Sequence, residues 1–241
     1  MTTNIPLMEW TPDRIKRFWD WQSQFPEEYF TVLFGPHIVS HFSSLLAGKD
    51  VLDLGCGPGG LLPHLCSVAR SVTGADLSEA SVAAANARCQ GAPGFSGAHT
   101  IGNLQKDRAS FDVIFSVEVV EHLDDDSLAA LLSTAHGLLK PGGRFIVTTP
   151  NDENLSKSYM YSPATNELYH RWQHMRSWNS ETLPQRLTAA GFRVETTYAT
   201  NLAMQGHTRD ALLRRFIHYS NRLRGRGSPQ PPHLICVVTR N

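Results

Sequence analysis

Cysteine is scarce in this chain, with four in 241 residues, at positions 56, 66, 89 and 236. They form no Cys-x-x-Cys pair and no metal-ligand spacing, which leaves free thiols in a reducing cytoplasm as the simplest reading. Net charge is missing as well. With 22 basic side chains against 22 acidic ones, the chain carries no general field for nucleic-acid phosphates, although a local basic patch stays open. No apolar run approaches the ~18 residues of a membrane span. The first twenty residues hold Glu9, Asp13 and tryptophans where a leader would have a basic start and an apolar stretch, so neither a signal peptide nor a membrane span is expected. What is present, 41% apolar and 18% charged residues, is the composition of a globular chain long enough to bury a core without disulfides or a structural metal.

Residues 1–47 are rich in aromatics, with Trp10, Phe18, Trp19, Trp21, Phe25, Tyr29, Phe30 and Phe34 punctuated by Pro6, Pro12, Pro26 and Pro36. The pattern predicts a helical cap whose rings either complete a core or roof a ligand pocket. From residue 50 strand and helix alternate: strands at Asp50–Leu54, Ser71–Ala75, Ala98–Ile101, Phe111–Ser116 and Arg144–Thr149, and helices over Leu61–Ala69, Ala80–Cys89 and Ser127–Leu139. Such alternation predicts an α/β fold on a parallel sheet. An irregular polar and aromatic stretch follows Pro150 as far as Trp178. Beyond it the expected elements are a helix over Thr182–Ala190, a strand at Arg193–Tyr198, a basic helix over 203–224, a flexible turn over Arg224–Pro232 and a buried strand at Leu234–Thr239. One domain spans 1–241 in this reading: the cap (1–47), a core (48–150), an insertion over the strand ends (151–178) and a C-terminal part (179–241).

The run Val51-Leu-Asp-Leu-Gly-Cys-Gly-Pro-Gly-Gly60 puts a buried strand directly before a glycine-dense turn and a helix, which is what close backbone approach to a ligand requires. Asp53 just before that turn would repel a phosphate, so a cationic or neutral ligand is expected there. Asp76, at the end of the second strand, offers two oxygens to the hydroxyls of a ribose. Over residues 48–198 the chain resembles the class I S-adenosylmethionine-dependent methyltransferases, with Leu139-Lys-Pro-Gly-Gly-Arg-Phe145 as a further shared turn. The resemblance implies a Rossmann-like seven-stranded, mostly parallel sheet with an antiparallel last strand. It implies S-adenosylmethionine as cofactor, with Asp53, Gly55 and Gly57 on the methionine side and Asp76 and Leu77 on the ribose. Asn103 and Leu104 would flank the adenine, and Val117 would close the fourth strand against the cofactor.

Past the fourth strand, Glu118, Glu121 and His122 stand at i, i+3 and i+4, a spacing that shares one face if the segment is helical. Carboxylates and an imidazole gathered there suit Mg²⁺ or Mn²⁺. Alternatively Glu118 meets the cofactor's amino group or caps the following helix. Glu-x-x-Glu-His, a later Thr149-Pro-Asn151, and a histidine four residues before Trp178 together resemble the metal-dependent small-RNA 3′-terminal 2′-O-methyltransferases and the ubiquinone-biosynthesis O-methyltransferases. That resemblance implies a metal quartet of Glu118, Glu121, His122 and His174, with His170 competing for the fourth place. His122 and His174 are the candidate catalytic groups, as ligands or, without metal, as general base.

Two open positions on a six-coordinate ion would fit a vicinal diol. The leading expectation is therefore a small diol-bearing metabolite, a sugar or catechol, as methyl acceptor. An RNA 3′ end is second, supported by Arg209, Arg214, Arg215, Arg222, Arg224 and Arg226 against Asp210 alone. The same arginines also read as a solvated helix face, or as a grip on a metabolite's phosphate or carboxylate. Tyr159, Tyr161, Tyr169 and Trp172 suit a flat or sugar-like acceptor. A third reading, from another class, is a catalytically silent protein of this fold.

Overall fold

The computed structural model describes residues 5–104, 110–204 and 230–240. In chain order the regular elements are α1 (Pro12–Gln22), α2 (Phe30–Phe42), β1 (Asp50–Leu54), α3 (Leu62–Cys66), β2 (Ser71–Asp76), α4 (Glu79–Arg88), β3 (Phe95–Thr100), β4 (Phe111–Val117), α5 (Asp125–Leu138), β5 (Leu139–Pro150), β6 (Tyr159–Ser162), β7 (Glu167–His170), α6 (Thr182–Ala189), β8 (Phe192–Thr200) and β9 (His233–Arg240). Seven strands form one sheet in the order β3-β2-β1-β4-β5-β9-β8. The first five neighbours run parallel, and β9 is antiparallel to both β5 and β8. This is the mostly parallel, seven-stranded Rossmann-like sheet expected, with the last strand antiparallel.

Its central strands are continuous apolar runs because both faces are covered. Val51, Leu52 and Leu54 of β1 and Ile114 and Phe115 of β4 are fully buried between two core clusters. One cluster takes the α2, α3 and α4 side, with Ile38, Leu62 and Ala85. The other takes the α5 and α6 side, with Leu128, Leu132 and Leu187. Helices start where side chains accept the first free amides: Ser78 Oγ from Ser81 at 3.2 Å and Asp124 Oδ1 from Ser127 at 2.7 Å. Register then fixes the site. Leu54 pairs with Ala75 and Val117 with Thr148, so the segments after β1, β2, β4 and β5 leave the sheet at its carboxyl edge, where α/β sheets bind ligands.

The structure departs from expectation in three places. The helix after the glycine loop is shorter than Leu61–Ala69, ending at Cys66 with Ser67 as its cap. In β5, Leu139 pairs with Phe111 and Arg144 with Val113, so Lys140–Gly143 bulge out opposite Asp112 while Lys140 Nζ reaches both Asp50 and Asp112. The Pro-Gly-Gly turn thus interrupts a longer strand. The stretch after Pro150 is not irregular throughout: β6 and β7 form an antiparallel hairpin whose turn uses Asn166 at φ 55°. The hairpin is tied to the amino terminus, where Met8 donates to the Leu168 carbonyl at 2.7 Å and Leu168 to that of Pro6 at 2.8 Å. The expected basic helix over 203–224 falls almost wholly outside the described residues. No helix among the described residues is long and apolar enough to cross a membrane.

Candidate active site

The glycine loop follows β1 with Gly55 at φ 88° and Gly57 at φ 51°, conformations that side chains other than glycine resist. Space is short too: a Cβ on Gly55 would stand 2.6 Å from Val119, which would have to move, and one on Gly57 would crowd the ring of Tyr29 at 3.1 Å. Asp53 lies beneath the loop, 1% exposed, and its Oδ2 has no hydrogen-bond partner among the described residues. Burial, with the nearby charge of Asp76, pushes its carboxyl up to about 7. A buried acid without a hydrogen-bond partner for one oxygen among the described residues suits a cationic group.

Asp76 is already engaged. Its Oδ2 accepts from the Gly57 amide at 2.8 Å and its Oδ1 from that of Ser78 at 2.9 Å. It therefore orders the loop, and a ribose would share its remaining lone pairs. Next to it Leu77 leaves an apolar side chain 70% exposed, a surface suited to a flat base. Asn103 and Leu104 follow β3 in a short 3-10 turn, Asn103 exposed and Leu104 half-buried. Val117, 3% exposed, is the last residue of β4.

The residues after Val117 form a turn rather than the helical one their spacing suggests. Glu118 sits in the left-handed region at φ 53°, a strained choice for a non-glycine residue of the kind found at functional sites. Thr148 holds it twice, its carbonyl accepting from the Glu118 amide at 3.0 Å and its hydroxyl donating to Glu118 Oε1 at 2.8 Å. Glu121 is 1% exposed. Thr149 donates to its Oε2 at 2.9 Å, while its buried Oε1 has no hydrogen-bond partner among the described residues and lies 3.8 Å from His122 Nε2. Burial raises both carboxyls well above the usual range, with Glu118 adding its charge to Glu121.

His122 and His174 complete the cluster. One donor atom each from Glu121, His122 and His174 lies within 4.8 Å of the other two. The structure brings three of the four expected ligands together, with Glu118 beside them at the strand end but outside that triad. His122 is kept neutral, its imidazole pulled down to about 3 by burial and by His174, and its Nδ1 is buried without a partner among the described residues. A second trio, Glu153, His170 and His174, meets the same closeness. Glu153 escaped the sequence reading because it sits in a polar loop two residues past Thr149-Pro-Asn151. That motif was the available signal. Its Oε2 stands 2.5 Å from His174 Nδ1 and its Oε1 3.4 Å from His170 Nε2. Burial raises the Glu153 carboxyl, yet the two imidazoles outweigh it and bring it down to about 2.

The rings of the aromatic cap pack partly in the core and partly as a roof over the acidic turn. Phe42 packs on Phe115 inside the core, with ring centroids 5.5 Å apart. Trp19 stands edge-on to His122 at 4.8 Å and lies 6.1 Å from Tyr29, so α1 covers the cleft between glycine loop and acidic turn. Gln173, fully buried, locks this roof. Its Oε1 accepts from Trp19 Nε1 and its Nε2 donates to the His122 carbonyl, both at 2.9 Å. Replacing Gln173 with alanine strands both groups, each worth about 1–3 kcal/mol when buried without a partner. We expect Gln173→Ala to lose roughly 2–4 kcal/mol in urea unfolding; a loss below about 0.5 kcal/mol would mean water replaces the amide and the roof is loose.

Comparison with known proteins gives a consistent picture. The profile of the family described as "Methyltransferase domain" matches residues 13–197. A probable S-adenosylmethionine-dependent methyltransferase of Mycolicibacterium smegmatis is 38% identical over 152 residues, 63% of this chain and 54% of the relative. A ubiquinone biosynthesis O-methyltransferase of Rhizobium rhizogenes is 36% identical over 129 residues, 53% of this chain and 50% of the relative. The chain thus spans about half the length of these curated relatives. Among solved structures, an S-adenosylmethionine-dependent methyltransferase from Mesorhizobium loti superposes with a TM-score of 0.57 at 22% identity, covering 81% of this chain and 93% of that one, a likeness of fold.

Proposed function

The chain belongs to the methyltransferase-domain family and carries an S-adenosylmethionine-dependent methyltransferase domain, and from that premise we propose that it is a divalent-metal-assisted O-methyltransferase of a small diol-bearing metabolite. One observation carries the metal: the buried Oε1 of Glu121, without a hydrogen-bond partner among the described residues, beside the imidazoles of His122 and His174. Oxygen and nitrogen donors of this kind fit Mg²⁺ or Mn²⁺, and Glu118, Glu121, His122 and His174 are the set that would hold it. When bound, the ion lowers the pKa of a coordinated hydroxyl and holds it in place. The chain does the rest. Asp53 faces the cofactor's positive charge, Asp76 holds the loop beneath the ribose, and Trp19 excludes water from the acceptor's side. With the ion held by both histidines, a carboxylate oxygen of Glu118 or Glu121 would take the acceptor's proton as the methyl group moves in line, since an imidazole bound through one nitrogen and protonated at the other has no lone pair left. The relatives named as ubiquinone biosynthesis O-methyltransferases support oxygen as the atom methylated.

A metal-free reading is favoured by one contact. A carboxylate against Nδ1 of His174, leaving its Nε2 free, is the arrangement of a general-base histidine. The RNA reading keeps only its arginines, 209–226, which lie outside the described residues; a steep loss of acceptor binding with salt would favour it. The deciding experiment titrates Mn²⁺ into protein saturated with S-adenosylhomocysteine, with and without a catechol. Binding of about one equivalent that disappears in His174→Ala is the expected result. Silence even with the catechol present would sink the metal and leave the histidine base.

A further inference from the structure

The two trios share His174, and the hydrogen bonds around His170 decide what each can do. His170 Nδ1 accepts from the backbone amides of Trp172 at 3.3 Å and of His174 at 3.2 Å. An Nδ1 that accepts two amides carries no proton, so in the neutral ring the proton is on Nε2. A protonated Nε2 has no lone pair for a cation, and the buried His170 Nε2 faces Glu153 Oε1 at 3.4 Å instead. His170 therefore turns its Nε2–H toward Glu153 without reaching hydrogen-bond geometry, and the trio of Glu153, His170 and His174 is not a second metal site.

His174 has the opposite arrangement. Its Nδ1 stands 2.5 Å from Glu153 Oε2, which places the proton between those two atoms and leaves the Nε2 lone pair as the one available to a further partner. The His170 and His174 rings stack with centroids 4.4 Å apart at 19°, and the short loop between them lets the His174 amide bond to His170 Nδ1. Backbone, His170 and Glu153 thus form a chain that ends at one imidazole. We propose that Glu153, facing His170 on its other oxygen, is a positioning residue that fixes His174 as the Nδ1–H tautomer and frees its Nε2 for the cluster with Glu121 and His122. A carboxylate on the far nitrogen of a working histidine is how ligand and general-base imidazoles are oriented. The use to which Nε2 is put rests on the proposed function, whereas the orientation does not.

Long-range ¹H–¹⁵N correlation on the metal-free protein at pH 8 reads both tautomers directly. The expected spectrum shows His174 protonated at Nδ1 and His170 at Nε2. A His174 protonated at Nε2, alone or on both nitrogens, would overturn the proposal. In Glu153→Ala the His174 resonances should become those of a mixed tautomer, with the fold checked by thermal unfolding, and Glu153→Asp should restore them in part. Mn²⁺ affinity supplies the second reading. Loss of an outer partner of this kind weakens metal binding about 10–100-fold, so Glu153→Ala should fall in that range. His170→Asn, whose side-chain oxygen can still accept the two amides, should weaken it less, and His174→Asn should abolish it. Mn²⁺ binding lost in His170→Asn and kept in His174→Asn would reverse the assignment. Expected tautomers with no Mn²⁺ binding in the wild type would support the positioning role while refuting the metal.

Discussion

Glu121→Gln should lose methyl transfer by about 10²–10⁴-fold while the unliganded protein becomes no less stable. The first half follows from charge. An amide has the shape of the carboxylate and can still accept from Thr149 at Oε2's place, but it cannot offer an anion to a cation, and charge stabilisation at such sites amounts to several kcal/mol, tenfold per ~1.4 kcal/mol. The second half follows from burial. Glu121 is 1% exposed, and its carboxyl is raised well above the usual range, first by burial and then by Glu118. A group raised in the folded state contributes stability below its unfolded pKa of about 4.3 that is lost as pH climbs through the folded value. Wild-type protein in chelator should therefore fall behind the variant in melting temperature between pH 6 and pH 8. A variant that melts lower than wild type at both pH values would mean its inactivity is misfolding; one that stays active would remove Glu121 from the chemistry.

The legible part of this molecule was the part whose physics is periodic or local. Strands β1, β4 and β9 are short, largely apolar runs bounded by turns, and each was placed within about two residues, in line with the usual uncertainty of element ends. Glycine-loop residues were legible because a positive φ leaves glycine as the only easy choice. The β6–β7 hairpin was not, since Met160 and Tyr161 face solvent and neither side shows the apolar alternation that marks a half-buried strand. Glu118, Glu121 and His122 were singled out by spacing, although the turn that brings two of them near His174 is not helical. Glu153 and Gln173 were missed for a different reason. Their roles come from contacts across long sequence separations, Glu153 to His174 and Gln173 to Trp19, and no local pattern records such a meeting.

Cofactor binding should expel a proton. In the free protein Asp53 is buried, its Oδ2 has no hydrogen-bond partner among the described residues, and its carboxyl is raised to about 7, so near pH 6 most molecules hold it protonated. S-adenosylmethionine brings positive charge to that place and favours the carboxylate, which reverses the shift. Linkage then fixes the sign. Affinity should rise with pH, by at most tenfold per unit for one released proton, from about pH 5 until it levels off near 7. Folding stability of the free protein runs the other way, because a raised acid loses its contribution as pH passes from about 4 through 7; the cofactor restores at high pH what the empty site gives up. Isothermal titration at pH 6 in two buffers of different ionisation enthalpy would show close to one proton released in the wild type and none in Asp53→Asn. The variant should bind about 10–100-fold more weakly at pH 8, a loss of roughly 1.5–3 kcal/mol for a hydrogen bond or ion contact to a charged group, and its affinity should no longer depend on pH between 5 and 7. If wild-type binding released no proton, Asp53 would keep one protonation state throughout: either ionised already in the free protein, or still protonated in the complex with the cofactor's charge balanced elsewhere in the cleft, Asp76 being the nearest alternative.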